Sequence, residues 1–368
     1  MGVKCKDIAN YIESIAPSRL AEEWDNVGLM VGDAGREIDR VLTCLDVTSE
    51  VVEEAIGMKA QLILSHHPFI FKGLKSIDEG DVKGRLVHRI IRNDLCVYSA
   101  HTNLDFAEGG INDYLAGLLD LEEVKNLKEH LSDKLYKVVV FVPEESLDAV
   151  RDAMSGSGAG WIGRYSDCSF AAKGTGTFKP LEGTNPYIGS TGKLEKVQEY
   201  RLETVVSQWN LHKTVDAIIK AHPYEEVAYD VYPLEIEGKQ YGYGKVGTLK
   251  SPMELEDFIG LVKRKLGVSS VRLIGKPHGE INNVAVFGGS FDESLIKTVK
   301  RKADVLVTGD IKYHTALDMT ELDMCVVDAG HYGTEHVMAQ RLAELIGNAF
   351  PQIEAKAAKG SKDPFCIL

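Results

Sequence analysis

The hydrophobic positions of this chain form short apolar runs that alternate with segments of helical spacing. Near the N-terminus, Ile8, Tyr11 and Ile15 recur at the spacing of a helix. The apolar runs are VLTCLDV (41–47), LILSHHP (62–68), CVYSAH (96–101), VAVFGGS (284–290), VLVTGD (305–310) and CVVDAGH (325–331). Short apolar strands separated by helices predict an α/β fold with mostly parallel sheets covered by helices.

The middle of the chain has a different pattern. Two strands of alternating polarity, SFAAKGTGTF and VQEYRLETVV, lie between helix-like segments, and a further strand stands at each end. This β-α-β-β-α-β order is typical of ferredoxin-like domains. The glycine-rich segment IEGKQYGYGKVG is interpreted as the returning linker. We therefore predict a core domain formed by residues 1–127 and 239–368, with an inserted ferredoxin-like α+β domain at residues 128–238.

Composition narrows the possible classes of function. Lys and Arg total 42 against 55 Asp and Glu, and the resulting net charge of -13 argues against non-specific nucleic-acid binding. No apolar run approaches the ~18 residues that span a bilayer. The six cysteines are widely separated, which indicates reduced thiols rather than a disulfide framework. The sequence thus predicts a cytoplasmic protein that does not contact membranes.

Polar residues follow the apolar runs of both outer blocks. In open α/β sheets, ligands bind beyond the carboxyl ends of the strands. The polar strand ends are Asp46, His66 with His67, His101 to Asp105, Ser290, Asp310, and Asp328 to Glu335. Imidazole combined with carboxylate suits zinc, iron or manganese more than calcium. A single histidine at a strand end is more often a structural hydrogen-bonding residue, so the number of such ends carries the argument.

The segment DAGHYGTEH is the most informative of these strand ends. His331 and Glu335 are four residues apart, which places them on one face of a helix. A His–Glu pair at this spacing is also a common surface contact, and the spacing alone leaves both interpretations open.

With these residues in view, five segments of the chain resemble the hallmark motifs of the Nif-three-like dinuclear-metal family. They are AEEWDNVGLMVG, LILSHHPFIF, VYSAHTNLDFAEGGIND, VLVTGDIKYH and VVDAGHYGTEH. The resemblance, which includes the GTP cyclohydrolase 1 type 2 homologs, implies two divalent metal ions held by His66, His67, Asp105, His331 and Glu335. It also implies a toroidal homohexamer, and the middle block resembles a CutA/PII-like insert.

Two functions from different classes follow from this resemblance. The first is a metal-dependent hydrolase acting on a small nucleotide-like or phosphorylated substrate, with His101 and His314 as candidates for proton transfer or for supporting the ligands. Either histidine is equally well a structural hydrogen-bonding residue. The second is a metal-dependent regulatory or scaffold protein whose inserted domain senses a ligand. The turns FGGS and TGD are weak candidates for presenting backbone N–H groups to an anion.

Overall fold

The structure is a computed structural model that describes residues 2–366. It divides into two compact units, Met1–His130 with Tyr241–Leu368, and Leu131–Gln240. The predicted boundaries, at 127/128 and 238/239, differ from these by two or three residues. Among the described residues, no helix combines the length and apolar character that crossing a membrane requires. All six cysteines are free thiols.

The first unit begins with alternating helices and strands. In chain order these are α1 (Cys5–Ile15), β1 (Gly28–Val31), β2 (Arg40–Cys44), α2 (Ser49–Gly57), β3 (Leu62–Ser65), α3 (Val82–Arg92), β4 (Cys96–Ser99), α4 (Thr102–Phe106) and α5 (Ile111–Leu118). Side chains fix two of the helix starts: Thr48 accepts a hydrogen bond from the Val51 amide, and Asp81 accepts from the amides of Lys83 and Gly84.

The second unit has the element order β-α-β-β-α-β. The ranges of its first and last strands extend beyond residues 131–240. Its elements are β5 (Glu122–Pro143), α6 (Leu147–Gly156), β6 (Ser169–Phe178), β7 (Glu195–Ser207), α7 (Leu211–Ala221) and β8 (Tyr229–Met253). Its strands lie in the order β6-β7-β5-β8. Its core contains buried Val138, Val140, Leu202, Met154 and Ile218. The ferredoxin-like and CutA/PII-like assignments of this unit stay predictions.

The remaining elements return to the first unit. They are α8 (Leu255–Leu266), β9 (Arg272–Ile274), β10 (Ile281–Ser290), α9 (Ile296–Lys302), β11 (Val305–Gly309), α10 (Tyr313–Glu321), β12 (Val326–Asp328), α11 (His331–Glu335), α12 (Val337–Ala349) and β13 (Glu354–Ala357). Short 3-10 turns occur at Ser18–Leu20, Glu144–Ser146 and Glu293–Leu295.

Two sheets with adjoining helices confirm the α/β class. One sheet has the order β1-β4-β3-β2-β13, and its neighbours are parallel except β1, which pairs antiparallel with β4. In the first unit the other sheet has the strand order β8-β10-β11-β12-β9, with parallel pairing only from β10 to β12. The central strands are buried on both faces, and each fully buried Leu or Ile stabilises the fold by about 1.5–3 kcal/mol.

The segment interpreted as a linker is a strand instead. Residues 236–247 lie inside β8, and Tyr241 there is buried. The glycines that suggested a linker are needed for close packing of the backbone. A Cβ at Gly242 would lie 2.4 Å from the Lys128 carbonyl oxygen, and one at Gly247 would lie 2.8 Å from that of Glu122.

Candidate metal centre

The candidate centre lies where strands of the first unit end and helices begin. His66 and His67 directly follow β3, and their amides donate to the carbonyls of Cys44 and Leu45 at the end of β2. Asp105 lies on α4, the short helix after β4. The parallel register therefore brings these side chains to one edge of the sheet.

The C-terminal part of the chain supplies the other two residues. His331 begins α11 and Glu335 ends it, so both project from one face of a five-residue helix. Gly330 precedes the helix with φ +80°, a conformation that a non-glycine residue adopts only with strain.

The five residues named from the sequence come together in one cluster. Glu335 lies at its centre, because its Oε2 is 2.9 Å from Nε2 of His67 and 2.9 Å from Nε2 of His331. Its other oxygen, Oε1, is 3.8 Å from Nε2 of His66. The Nε2 of His66 in turn lies 3.4 Å from Oδ1 of Asp105.

An acceptor on the far nitrogen orients each of the clustered imidazoles. His66 Nδ1 lies 2.9 Å from the Ala100 carbonyl oxygen, which can only accept. His67 Nδ1 is 2.8 Å from Asp46, and His331 Nδ1 is 2.9 Å from Asp310. When the imidazole is neutral, these contacts place its proton on Nδ1. Nε2 is then unprotonated, and its lone pair is directed into the cluster. Metal-binding histidines typically have this arrangement.

Two buried atoms of the cluster have no hydrogen-bond partner in the described part of the chain, namely His66 Nε2 and Asp105 Oδ1. They face each other at 3.4 Å, and both are acceptors when the imidazole is neutral. Such a buried pair is costly unless a cation lies between its members. The donor set of imidazole and carboxylate therefore fits a divalent metal ion.

The contacts between carboxylates and imidazoles also shift the pKa values in the cluster. Burial disfavours a charged imidazole, yet the carboxylates of Asp46 and Glu335 raise the pKa of His67 to about 10. Hydrogen bonds with Glu335 and Asp310 raise the pKa of His331 to about 9. Burial would raise the pKa of Glu335, but its imidazole neighbours hold it well below the usual value. The cluster thus favours positive charge, and protons and a divalent metal ion would compete for the same donor atoms.

Geometry admits two overlapping ligand groups, in each of which the donor atoms lie within 4.8 Å of one another. One is His66, His67 and His101, and the other is His67, His331 and Glu335. His101, which the sequence suggested for proton transfer, thus lies beside the predicted ligands, and its ring centroid is 5.4 Å from that of His66.

Asp25, to which no local pattern assigns a role, orients the ring of His101. The buried Asp25 carboxylate lies 2.8 Å from His101 Nδ1 and also accepts from the Thr102 amide and hydroxyl. Burial would raise the pKa of Asp25, but these hydrogen bonds lower it to about 2. The residue belongs to the motif AEEWDNVGLMVG, and the histidine that it contacts lies 76 positions away.

The other predicted residues lie outside the cluster. His314 is exposed on α10, where its ring packs on Tyr313, and no described hydrogen bond or ring contact joins it to the cluster. In the FGGS turn the Gly288 amide donates to Asn112 and the Gly289 amide donates to Thr334, so neither glycine amide is free to bind an anion. The interpretation of FGGS as an anion site is contradicted for these two amides, and that of TGD stays a prediction.

Comparisons with known proteins agree with this fold. The Duf34/NIF3 (NGG1p interacting factor 3) family matches residues 3–364. A "GTP cyclohydrolase 1 type 2 homolog" of Bacillus subtilis is 44% identical over 370 residues, which cover 100% of this chain and 99% of the relative. A protein of the same name from Halalkalibacterium halodurans is 43% identical, with 98% of both chains covered.

Solved structures agree as well. The crystal structure of a Bacillus cereus protein related to NIF3 is 40% identical, covers both chains completely and gives a TM-score of 0.88. The Staphylococcus aureus protein SA1388 is 32% identical with a TM-score of 0.79, and the match covers 100% of this chain and 99% of that one. The chain belongs to the Duf34/NIF3 family.

Proposed function

We propose that the first unit carries a dinuclear metal centre and that the protein is a metal-dependent hydrolase of a small nucleotide-like or phosphorylated substrate. The observation that carries the proposal is the pair of buried acceptors, His66 Nε2 and Asp105 Oδ1, which face each other without a partner in the described residues. The name of the relatives, GTP cyclohydrolase 1 type 2 homolog, supports testing GTP among the substrates.

The two oxygens of Glu335 suggest how two ions are shared. His66, His67, Asp105, His331 and Glu335 would hold the two ions, and Glu335 would contribute to both because its two oxygens lie near different histidines. Zinc, iron and manganese all suit these ligands. A pair of divalent ions supplies Lewis acidity and activates water for hydrolysis at neutral pH.

Residues around the centre have roles of their own in this proposal. Asp46 and Asp310 hold the rings of His67 and His331 in the orientation that ligation needs. Asp25 holds His101 with Nε2 as its free nitrogen, so that His101 can move a proton at this atom or serve as a further ligand. Metal analysis of His101→Ala distinguishes these roles, because only a ligand changes the metal count.

Two exposed aromatic side chains near His101 favour a substrate with a planar ring. Trp24 is 59% exposed and Phe71 is 44% exposed. Their ring centroids are 5.9 Å apart, and the Trp24 ring is 6.1 Å from that of His101. Large exposed rings beside a polar cluster are suited to stacking on a nucleobase. We expect Trp24→Ala to raise KM and leave the metal content unchanged.

A second candidate function is a metal-dependent regulatory or scaffold protein. A cavity of about 630 Å³ in the second unit supports it, because this volume is in the range of small-molecule sites. Under this proposal the metal centre has no turnover, and ligand binding in the second unit is the signal. A toroidal homohexamer and a cytoplasmic location belong to both proposals, and native mass spectrometry tests the assembly.

Glu335→Ala provides the central test. We expect this variant to lose at least one metal ion per chain, as measured by elemental analysis after purification without added metal. Turnover in a screen of GTP, other nucleotides, phosphoesters and cyclic amides should fall by orders of magnitude.

The matched control is Glu344→Ala, which removes a surface glutamate that contacts Gln340 and Arg341 on α12. A surface contact of this kind contributes about 0.5 kcal/mol or less. If Glu335→Ala keeps the wild-type metal count, as Glu344→Ala should, His331 and Glu335 are only a helix contact and the proposal fails. If metal is lost but no substrate is turned over, the regulatory function is favoured.

A further inference from the structure

The cavity of the second unit lies within that unit alone. Strand β6, the loop that follows it, and the segment after α7 form its walls, and Phe141, Pro186 and Ile188 contribute apolar surface. Its volume of about 630 Å³ suits a small organic molecule. The residues that line this cavity share no member with the candidate metal centre.

Glu199, on β7, is the one charged side chain of the cavity lining that is almost fully buried, with 8% of its surface exposed. Its Oε1 accepts a hydrogen bond from the Tyr224 hydroxyl at 3.0 Å. No ion pair in the described residues includes Glu199. A buried carboxylate with a single neutral donor retains unused acceptor capacity.

Glycine at position 176 is what gives this carboxylate room. A Cβ there would lie 2.0 Å from Glu199 Oε2, although the backbone of Gly176 is extended. The carboxylate therefore packs against the backbone of β6 at Gly176, which has no side chain that could supply a positive charge.

The cations that line the cavity are engaged elsewhere or exposed. Lys173 lies 3.0 Å from Glu144, and Arg201 forms an ion pair with Glu203. Lys179 is exposed. None of these three residues forms an ion pair with Glu199. The nearby His222 directs its two ring nitrogens to the Phe141 carbonyl and the Tyr224 amide, so the carboxylate keeps acceptor capacity for a ligand.

Three aromatic rings stand beside the carboxylate. The ring of Tyr224 is 5.9 Å from that of Phe178 and 6.1 Å from that of Tyr187, and all three residues line the cavity. Aromatic faces attract cations, and this attraction increases when the cation is desolvated. Aromatic rings and a buried carboxylate together are a recognition set for an organic cation.

We propose that this cavity binds a small organic cation, such as a primary amine or a guanidinium compound, with a flat or aliphatic apolar body. The N–H groups of the ligand donate to Glu199 in a charge-assisted hydrogen bond. The apolar body lies against Phe178, Tyr187 and Tyr224.

The test is isothermal titration calorimetry on the full chain with three probes: benzylamine, the neutral isostere benzyl alcohol, and inorganic phosphate. We expect benzylamine to bind at least tenfold more tightly than benzyl alcohol, and phosphate not to compete with it. Glu199→Gln keeps the shape and can still accept from Tyr224, yet it should weaken benzylamine at least tenfold.

Two controls locate the binding site. Glu225→Gln alters an exposed acid that lines the same cavity and accepts from the Asn185 amide, and it should change the benzylamine affinity less than twofold. Glu335→Ala, in the other unit, should also leave it within twofold. If Glu199→Gln does not fold, Tyr187→Ala replaces it, since this ring is 54% exposed and its loss should weaken benzylamine several-fold.

Four results would overturn the proposal. They are benzyl alcohol binding as tightly as benzylamine, an unchanged affinity in Glu199→Gln, phosphate binding in place of the amine, and no binding of any probe.

Discussion

Replacing Gly289 by alanine should remove at least one ion from the proposed metal centre without replacing any of the predicted ligands. Gly289 lies at the end of β10 with φ +67°, and a Cβ there would lie 2.1 Å from Glu335 Oε1 and 3.4 Å from His331 Nε2. Ordinary van der Waals contact begins near 3.4 Å, so the carboxylate oxygen has to move by more than 1 Å. Metal–ligand distances tolerate only about 0.2 Å.

The matched control is Gly267→Ala. Gly267 follows α8 with φ +65°, almost the same backbone conformation, but a Cβ there meets nothing within 4 Å. A left-handed conformation costs an alanine about 1–2 kcal/mol. Both variants should therefore lose about that much unfolding free energy, and only Gly289→Ala carries the additional displacement of Glu335.

Two measurements check this prediction on both variants. Elemental analysis gives the metal count per chain, and urea unfolding in the presence of a chelator gives the free energy of the metal-free protein. We expect Gly267→Ala to keep the wild-type metal count and Gly289→Ala to fall to one ion or none. Equal metal counts in the two variants would refute the assignment of Glu335 as a shared ligand.

Three further predictions concern the residues behind the ligands and the division of the chain. Asp46→Asn should lower metal affinity by about 10–100-fold, measured by chelator competition, because a neutral amide holds the His67 imidazole less strongly than the carboxylate does. Asp25→Asn should cost about 2 kcal/mol at neutral pH, given a folded pKa of about 2 against 3.8. Because the folded pKa is lowered, this stabilisation is present above pH ~4 and is lost as the pH falls towards 2, so urea unfolding of metal-free wild type and variant should converge there. Deleting residues 131–240 and closing the gap should leave a folded, metal-binding unit, and joint loss of metal and native circular dichroism would contradict it.

The clustering of His66, His67, His331 and Glu335 could be predicted because each stands in a pattern that limits where it can lie, and their role as metal ligands stays a prediction. His66 and His67 end an apolar run whose length is typical of a buried strand, and the i,i+4 spacing brings His331 and Glu335 to one helix face. Parallel pairing then carries strand ends to a common edge.

Other features depend on contacts that no local pattern contains. Asp25 lies in a loop, and only the folded chain brings it to His101. The antiparallel edge strands β1 and β9 are too short to carry a periodic signal. The glycines of residues 236–247 resembled a linker because a requirement for close backbone packing and a requirement for flexibility select the same residue.

The order in which the ligands occur along the chain has a consequence for biosynthesis. A ribosome-bound chain that has not reached α11 contains His66, His67 and Asp105 but lacks both oxygens of Glu335. It also lacks β13, the strand that pairs with β2 at the edge of the first sheet. Under the proposed function, the complete dinuclear centre would therefore form only after α11 has been synthesised. A chain truncated before residue 331 would lack both His331 and Glu335 and would leave the β2 edge of the first sheet unpaired.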